Sequence, residues 1–360
     1  VRILQITSGG RKANGAVLYA ADLSKRLCER GHDVWMLTPP GSFVAGAIAG
    51  SKVRHEPSDL SRWPLAELKR VRDLIRREGI DVVHGHNSRA FNFAVCLRRL
   101  FGIPCVSTAH SNKIQVHWCL ADRIIAVSQA TRRFHCRWNL VRPSRISVIH
   151  NPIDTQRFRP LDAAERQQVR RDIGLPDDAL VLLIAGHVIA RKGQLTAVQA
   201  MPRILKKFPQ ARLVMVGHES AEYGPAVRAE AARLGLNEQV QWLPSRDDVE
   251  QVFGAADLCL CPSLDEPFGL TACEALACEV PVVASRLGGF LETIQPDRSG
   301  LLVPRKDPDE LAKATLSLLQ QPSQRQAMGR FGRQWVVEHL GSDSHDTSVE
   351  GVYRQVCRPS

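Results

Sequence analysis

One rhythm constrains this chain more than any other feature: short β-branched apolar runs, each followed by a glycine-marked turn and an amphipathic stretch. Arg2 to Thr7 reads as a strand, the turn through Gly9, Gly10 and Gly15 follows, and a helix then sets Ala16, Ala20, Leu23 and Leu27 on one side and closes at Gly31. Val34 to Thr38, Asp81 to His86, Pro104 to Ala109, Arg123 to Val127 and Arg145 to Ile149 continue the series, most of them apolar on both faces. Such strands belong in a parallel sheet covered by helices on both sides. A polar stretch with proline, Asn151 to about Ala163, interrupts the rhythm. It restarts with Leu180 to Ala185, Arg212 to Val216, Val240 to Leu243, Leu258 to Cys261, Val280 to Ala284 and Leu301 to Val303. The expectation is an α/β chain of two Rossmann-like, doubly wound domains, 1–162 and 163–341, with a last helix over 342–360 returning to the first. At roughly 150 residues per domain, 360 residues are enough for two cores.

Composition removes several classes. With 44% hydrophobic and 24% charged residues, a disordered or fibrous chain is excluded. No apolar run approaches the ~20 residues that cross a bilayer, the longest lying near Leu180 to Gly186. The start reads as a first strand and not as a signal peptide. Ten cysteines include no Cys-x-x-Cys pair and lie mostly in apolar runs, as in Leu258-Cys259-Leu260-Cys261, so buried free thiols of a reducing cytoplasm are expected. The net charge of +11 is unevenly spread: residues 1–160 hold 26 basic and 11 acidic groups, and the remainder 22 and 26. A basic first half attracts something anionic, whether a lipid surface, a phosphorylated substrate or nucleic acid.

In open parallel sheets ligands sit beyond the carboxyl ends of the strands. The stretch after Leu258 to Cys261 runs Pro262-Ser263-Leu264-Asp265-Glu266-Pro267-Phe268-Gly269-Leu270-Thr271-Ala272-Cys273-Glu274. Pro267 and Gly269 set a helix start, Glu266 stands in the loop before it, and Glu274 about two turns inside. The backbone N–H groups of Phe268, Gly269, Leu270 and Thr271, with the positive end of the helix dipole, can receive a pyrophosphate, leaving Glu266 and Glu274 to accept sugar and ribose hydroxyls on either side. By spacing alone, a solvated loop charge and a surface helix residue explain the two acids equally well.

This stretch resembles the E-x7-E signature of retaining glycosyltransferases of the GT-B fold, family 4. The likeness extends over nearly the whole chain, through Gly15, Asp81-Val82-Val83-His84-Gly85-His86, Thr108-Ala109-His110, Ala126-Val127-Ser128, Val148-Ile149-His150-Asn151-Pro152-Ile153-Asp154 with Phe158, and Gly186 with Lys192-Gly193. The resemblance implies two domains facing across a cleft. It gives Glu266 the donor sugar near the reacting carbon, Glu274 the ribose hydroxyls and Lys192 the diphosphate. Such enzymes pair that lysine with an arginine where this chain has His187, a departure that either weakens the phosphate site or hands the second cation to Arg191. Independently of family, a departing diphosphate needs fixed positive charge, and Lys192 in a turn after a strand can supply it; an ordinary exposed turn is the other reading.

His110 follows the strand Pro104 to Ala109, at the edge where ligands collect; by resemblance it lies near acceptor and donor sugar, where an imidazole could hydrogen-bond a hydroxyl. His84 and His86 are expected on opposite sides of their strand, with His86 toward the cleft and His84 packing. Gly9, Gly10 and Gly15 form no Gly-x-Gly-x-x-Gly fingerprint, which argues against a nicotinamide enzyme. Gly15 by resemblance lets the backbone approach the donor, and as a bare sequence feature it is equally a turn glycine. Asp307-Pro308-Asp309 matches the Asp-x-Asp of metal-dependent transferases, but its place before a helix makes it a cap. No metal or cofactor is expected beyond a nucleotide diphosphate sugar as co-substrate.

Two stretches, Arg132 to Arg142, where basic and large apolar groups interleave, and Leu65 to Glu78, which carries five basic residues, can press against an anionic leaflet or form a solvated face. Nucleic acid is disfavoured by the lack of a binding module and by 6% aromatic residues. The expected activity is transfer of a sugar, with retention, to a hydroxyl of a glycan or lipid-linked acceptor of the bacterial envelope, polysaccharide or lipopolysaccharide. It would take place in the cytoplasm or peripherally on the inner face of the membrane. A non-catalytic module for anionic surfaces is the competing reading: it accounts for the basic half but leaves Glu266, Glu274 and Lys192 idle.

Overall fold

In the computed structural model, which describes residues 1–10, 14–60 and 65–357, the chain divides into two units, 1–151 with 342–360 and 152–341. The middle of the turn from Gly10 to Asn14 and the last three residues of the tail lie outside the described residues.

The described residues of the first unit form strands β1 (Arg2–Ile6), β2 (Asp33–Thr38), β3 (Arg54–Pro57), β4 (Val82–Gly85), β5 (Cys105–Ala109), β6 (Arg123–Ala126) and β7 (Ile146–Val148). They make a parallel sheet in the order β3-β2-β1-β4-β5-β6-β7. Period two sorts its side chains into two cores. Leu4, Ile6, Val83, Cys105 and Ile124 face one layer of helices. Ile3, Val34, Val82, Val106 and Ile125 face the other. The helix Ser342–Cys357 lies on that second face, where Val349, Val352 and Tyr353 are buried.

The second unit has β8 (Leu180–Ala185), β9 (Ala211–Val216), β10 (Val240–Leu243), β11 (Leu258–Cys261), β12 (Val282–Ser285) and β13 (Gly300–Val303), again parallel, in the order β10-β9-β8-β11-β12-β13. Each sheet reverses its winding once, between β1 and β4 in the first and between β8 and β11 in the second. At such a point the loops after neighbouring strands diverge and leave a crevice. The chain segments that follow β1, β4, β8 and β11 are therefore where side chains can meet a ligand.

Several local expectations meet the structure directly. The first helix, Gly15–Glu29, is capped by Asn14, whose side chain accepts from the amides of Ala16 and Val17. Asp307 caps Pro308–Leu319 by accepting from the amides of Asp309 and Glu310, so the Asp-x-Asp is a helix start. All ten cysteines are free, but only Cys105, Cys259, Cys261, Cys273 and Cys278 are buried; the other five are partly exposed, so the expectation of buried thiols holds for half of them. Three expectations need correction. The strand β3, Arg-His-Glu-Pro, is absent from the sequence reading because an edge strand needs no apolar face. Residues 152–162 belong with the second unit, where Phe158 meets Phe253 edge-on and Arg157 binds Glu250 at 2.9 Å. Glu274 stands in the second turn of an eight-residue helix, Leu270–Ala277, not two turns deep.

Candidate functional site

The site in the second unit is built where β8 and β11 lie side by side, Leu182 opposite Leu258. After β8 the chain leaves the sheet at Gly186, in a left-handed conformation with φ 114, and makes a single 3-10 turn, Ala190–Lys192. Gly193 ends that turn at φ 71 and packs its α-carbon directly on the Pro262 carbonyl, where any side chain would overlap. Only glycine satisfies both conditions. The two loops are further joined by Leu264 N–H donating to the Arg191 carbonyl (2.7 Å) and by the Arg191 guanidinium donating to the Asp265 carbonyl (3.0 Å).

This stitching brings Lys192 to Glu266. Its ammonium donates to Glu266 Oε2 at 2.8 Å, with the two side chains 17% and 9% exposed, and Ser263 Oγ donates to the same oxygen at 3.3 Å. The Glu266 backbone is fixed as well, its carbonyl accepting from Gly289 N–H at 2.8 Å. Gly288 and Gly289 lie so close under this loop that a β-carbon on either would overlap backbone, the Glu266 carbonyl for the first and Phe268 for the second. Sequence reasoning missed this glycine pair. Its only signal was a Gly-Gly two residues beyond β12, at the carboxyl edge of a parallel sheet, where ligands collect.

Beyond Glu266 the chain passes Phe268, buried, and Gly269, the cap of helix Leu270–Ala277 at φ 103. The amides of Leu270 and Thr271 open the first turn, where the helix itself offers them no acceptor. Glu274, half-buried, follows one turn later. Burial pushes its carboxyl up to about 7, against the pull of the Lys192 and Arg157 charges, and Glu266 adds to the rise. Glu266, Lys192 and Glu274 thus share one electrostatic environment. The His187 ring lies against His218, centroids 6.0 Å apart, and the His187 carbonyl accepts from Gln194 Nε2 at 2.9 Å.

In the first unit, His110 follows β5 and Gly15 opens the first helix, while His86 follows β4. The expectation for His84 and His86 is corrected here: residues two apart on an extended chain share a side, and the two rings lie 4.2 Å apart. The His110 ring is 5.9 Å from that of His86 and meets the Tyr19 ring edge-on at 4.8 Å. Burial drives all three histidines toward the neutral form, His84 and His110 down to about 3 and His86 well below its ordinary value. A neutral His110 can take part in hydrogen bonds but brings no positive charge. Among the described residues, His110 Nε2 and His86 Nδ1 are buried without a hydrogen-bond partner.

A chain of buried hydrogen bonds holds His86 Nε2 and both nitrogens of His84. His86 Nε2 meets Gln5 Oε1 (2.5 Å), Gln5 Nε2 donates to Tyr353 Oη (3.1 Å), and Tyr353 Oη meets His84 Nδ1 (2.7 Å). His84 Nε2 then meets Thr108 Oγ1 at 2.8 Å. Alongside it, Arg26 binds Asp346, Asp346 binds His345 at 2.7 Å, and His345 Nε2 meets Tyr19 Oη at 3.0 Å. The sequence pointed only to a helix in this tail; its Tyr353, His345 and Asp346 support the histidine cluster. Among the described residues no group of three or more His, Cys, Asp or Glu is placed to hold a metal ion, and no helix is long and apolar enough to cross a membrane.

Known proteins match the chain along most of its length. The profile of glycosyl transferases group 1 matches residues 165–335, and that of glycosyltransferase family 4 matches residues 13–157. The chain is 31% identical to a protein named D-inositol 3-phosphate glycosyltransferase from Acidothermus cellulolyticus, over 94% of this chain and 84% of that protein. It is 30% identical to D-inositol 3-phosphate glycosyltransferase 1 of Catenulispora acidiphila, over 96% and 92%. The crystal structure of Anabaena Alr3699/HepE in complex with UDP-glucose has the same fold, with a TM-score of 0.88 at 20% identity over 98% of this chain and 99% of that one.

Proposed function

Because the chain belongs to the group 1 glycosyltransferases of family 4, we propose that it moves a sugar from a nucleotide diphosphate sugar to a hydroxyl, with retention at the anomeric carbon. The observation that carries this reading is the Lys192–Glu266 pair at the winding reversal of the second sheet, directly before a glycine-capped helix start. The solved relative in complex with UDP-glucose supports the donor class.

In this reading the amides of Phe268, Gly269, Leu270 and Thr271 and the Lys192 ammonium receive the diphosphate, with Arg191 beside it. Glu266 accepts from the donor sugar and Glu274 from the ribose. Retention needs no side-chain nucleophile: the leaving phosphate oxygen takes the acceptor proton on the face it departs from, while Lys192 and the helix start hold the charge left behind. His110, neutral, hydrogen-bonds a hydroxyl of donor or acceptor, and no metal is required.

The acceptor is anionic or presented at an anionic surface. The basic first half supports this, and so do the relatives named for D-inositol 3-phosphate, a phosphorylated polyol. A glycan or lipid-linked acceptor of the bacterial envelope, in polysaccharide or lipopolysaccharide synthesis, reached from the cytoplasm by peripheral contact of the basic stretches 65–78 and 132–142, fits the same charge. The test is incubation with a panel of nucleotide sugars and with inositol phosphate or lipid-linked acceptors, followed by mass spectrometry of products. Transfer that survives in both Glu266→Ala and Lys192→Ala would remove the site assignment.

A further inference from the structure

Four large apolar side chains stand together in water on the first unit: Ile114, Val116, Trp138 and Leu140, exposed by 64%, 53%, 50% and 66%. They come from two segments, the loop after β5 and the end of helix Gln129–Trp138. The buried side chain of Asn139 ties these together. Its Oδ1 accepts from Gln115 N–H at 2.6 Å, and its Nδ2 donates to the Lys113 carbonyl at 2.9 Å and to His135 Nδ1 at 2.8 Å. Asn139 is fully buried, so the clamp is internal and the four apolar groups flank it outside. Leu140 is held at φ 53, a left-handed conformation disfavoured for a residue with a branched side chain, and it points that side chain outward. A chain that only had to turn here would be better served by glycine.

The surroundings have one sign. Between Ser111 and Arg145 there are seven basic residues and one acid, Asp122, and Arg98 neutralises that acid at 2.7 Å. Lys113, Arg133, Arg137, Arg142 and Arg145 are exposed, and the Arg137 guanidinium lies 5.2 Å over the Trp138 ring. An apolar centre with a purely cationic rim complements a leaflet of anionic lipid, whose headgroups meet the cations while the apolar tips enter the acyl boundary. A second copy of this rim would repel the first.

We propose that Ile114, Val116, Trp138 and Leu140 are an insertion face by which the first unit docks on an anionic membrane surface. The proposal rests on the peripheral-contact reading above and goes past it, since that reading takes the stretch 132–142 by itself and includes neither Ile114 nor Val116, nor the clamp that joins the two segments into one face. Docking here has a consequence for the acceptor: His135, on the same helix, binds the Ser111 carbonyl at 3.2 Å, and Ser111 follows His110. The His110 loop is thereby held beside the docking face, where a lipid-linked acceptor is presented.

The test is flotation of the full chain with phosphatidylcholine vesicles with and without phosphatidylglycerol. Wild type is expected to float only with phosphatidylglycerol, to retain part of that binding in high salt, and to show Trp138 quenching by brominated lipid that Trp138→Phe abolishes. Leu140→Gly should weaken partitioning about tenfold, the size expected for losing one buried leucine, while its melting temperature holds or rises as the strained backbone is relieved. If wild type floats but Leu140→Gly and Ile114→Ser float equally well, insertion is refuted and charge-only contact survives. If wild type does not float at all, both readings fail. A wild-type dimer in analytical ultracentrifugation that Leu140→Gly splits would assign the face to a second copy and overturn the proposal.

Discussion

The Lys192 ammonium and the Glu266 carboxylate, 74 positions apart in sequence, meet at 2.8 Å with most of both side chains removed from water. Neither charge is there alone, and a third group, Glu274, feels both. Removing Lys192 strands Glu266 beside Ser263 as a largely buried anion. Lys192→Ala is therefore expected to destabilise the second unit by about 1–3 kcal/mol, and Glu266→Gln added to it to restore part of that loss. Thermal or urea denaturation of the two single variants and the double gives the coupling; strictly additive effects would show that the pair contributes nothing jointly. Sugar transfer is expected to be lost in each.

Gly289 tests the loop's support apart from its charges. Its φ of −67 suits any residue, so alanine there carries no backbone penalty, and only the overlap with the Phe268 backbone remains. Gly289→Ala should cost about 1–3 kcal/mol by overpacking and should lower transfer by moving Glu266. Gly46→Ala, where an added β-carbon meets nothing within 4 Å among the described residues, is the matched control and should not lower stability.

Glu274 makes a prediction in pH. Its folded carboxyl titrates near 7 against an ordinary 4.5, so the folded state keeps a proton that the unfolded chain has released. The stability this group contributes is present below about 4.5 and is lost as pH climbs through about 7. Relative to wild type, Glu274→Gln should therefore gain stability as pH is raised from 5 to ~8. If the ionised form accepts the ribose hydroxyls, wild-type affinity for the nucleoside diphosphate of whichever donor the panel identifies should rise across pH 7 more steeply than that of Glu274→Gln. The ligand's own titration is common to both proteins, so calorimetry of the two isolates the side chain. Parallel curves would take the ribose role away from Glu274.

What the sequence made legible follows from where the physics is local. Strands such as β5 and β8, apolar on both faces, announce themselves, while β3, Arg-His-Glu-Pro on an edge, does not. The loop before Leu270–Ala277 was readable because Pro267 and Gly269 mark a helix start within a few residues. That Lys192 neutralises Glu266 was not, since it depends on β11 lying next to β8 and not next to β10, a property of the whole sheet. Gly288 and Gly289 drew no notice in the sequence because the backbone they make room for is some twenty residues earlier. The tail carried a helical pattern, but the partners of Tyr353 and His345, Gln5, His84 and Tyr19, lie at the other end of the chain.

Tyr353 is where that long-range dependence can be measured. Its hydroxyl joins Gln5 Nε2 to His84 Nδ1 in a place fully closed to water. Tyr353→Phe keeps the ring and its packing but leaves both groups without a partner. The expected loss is about 1–3 kcal/mol, larger than for removing an exposed tyrosine hydroxyl. Denaturant midpoints at neutral pH decide it; an unchanged midpoint would mean that Gln5 and His84 rearrange to satisfy each other.

The buried histidines give the last prediction, of opposite sign to that of Glu274. His84 and His110 are held neutral down to about 3 by burial, whereas in the unfolded chain they take up a proton near 6.5. Below 6.5 the unfolded state therefore binds more protons, so the stability these groups contribute is present above 6.5 and is lost progressively as pH falls toward 3. His110→Gln removes one such group without removing its place in the loop after β5. Its stability should fall less steeply than wild type between pH 6.5 and 4, the difference approaching one proton in the slope of unfolding free energy against pH. Urea titrations at several pH values read that slope directly. Because every other titrating group is common to the two proteins, Glu274 included, equal slopes would mean that burial does not hold His110 neutral in the folded protein.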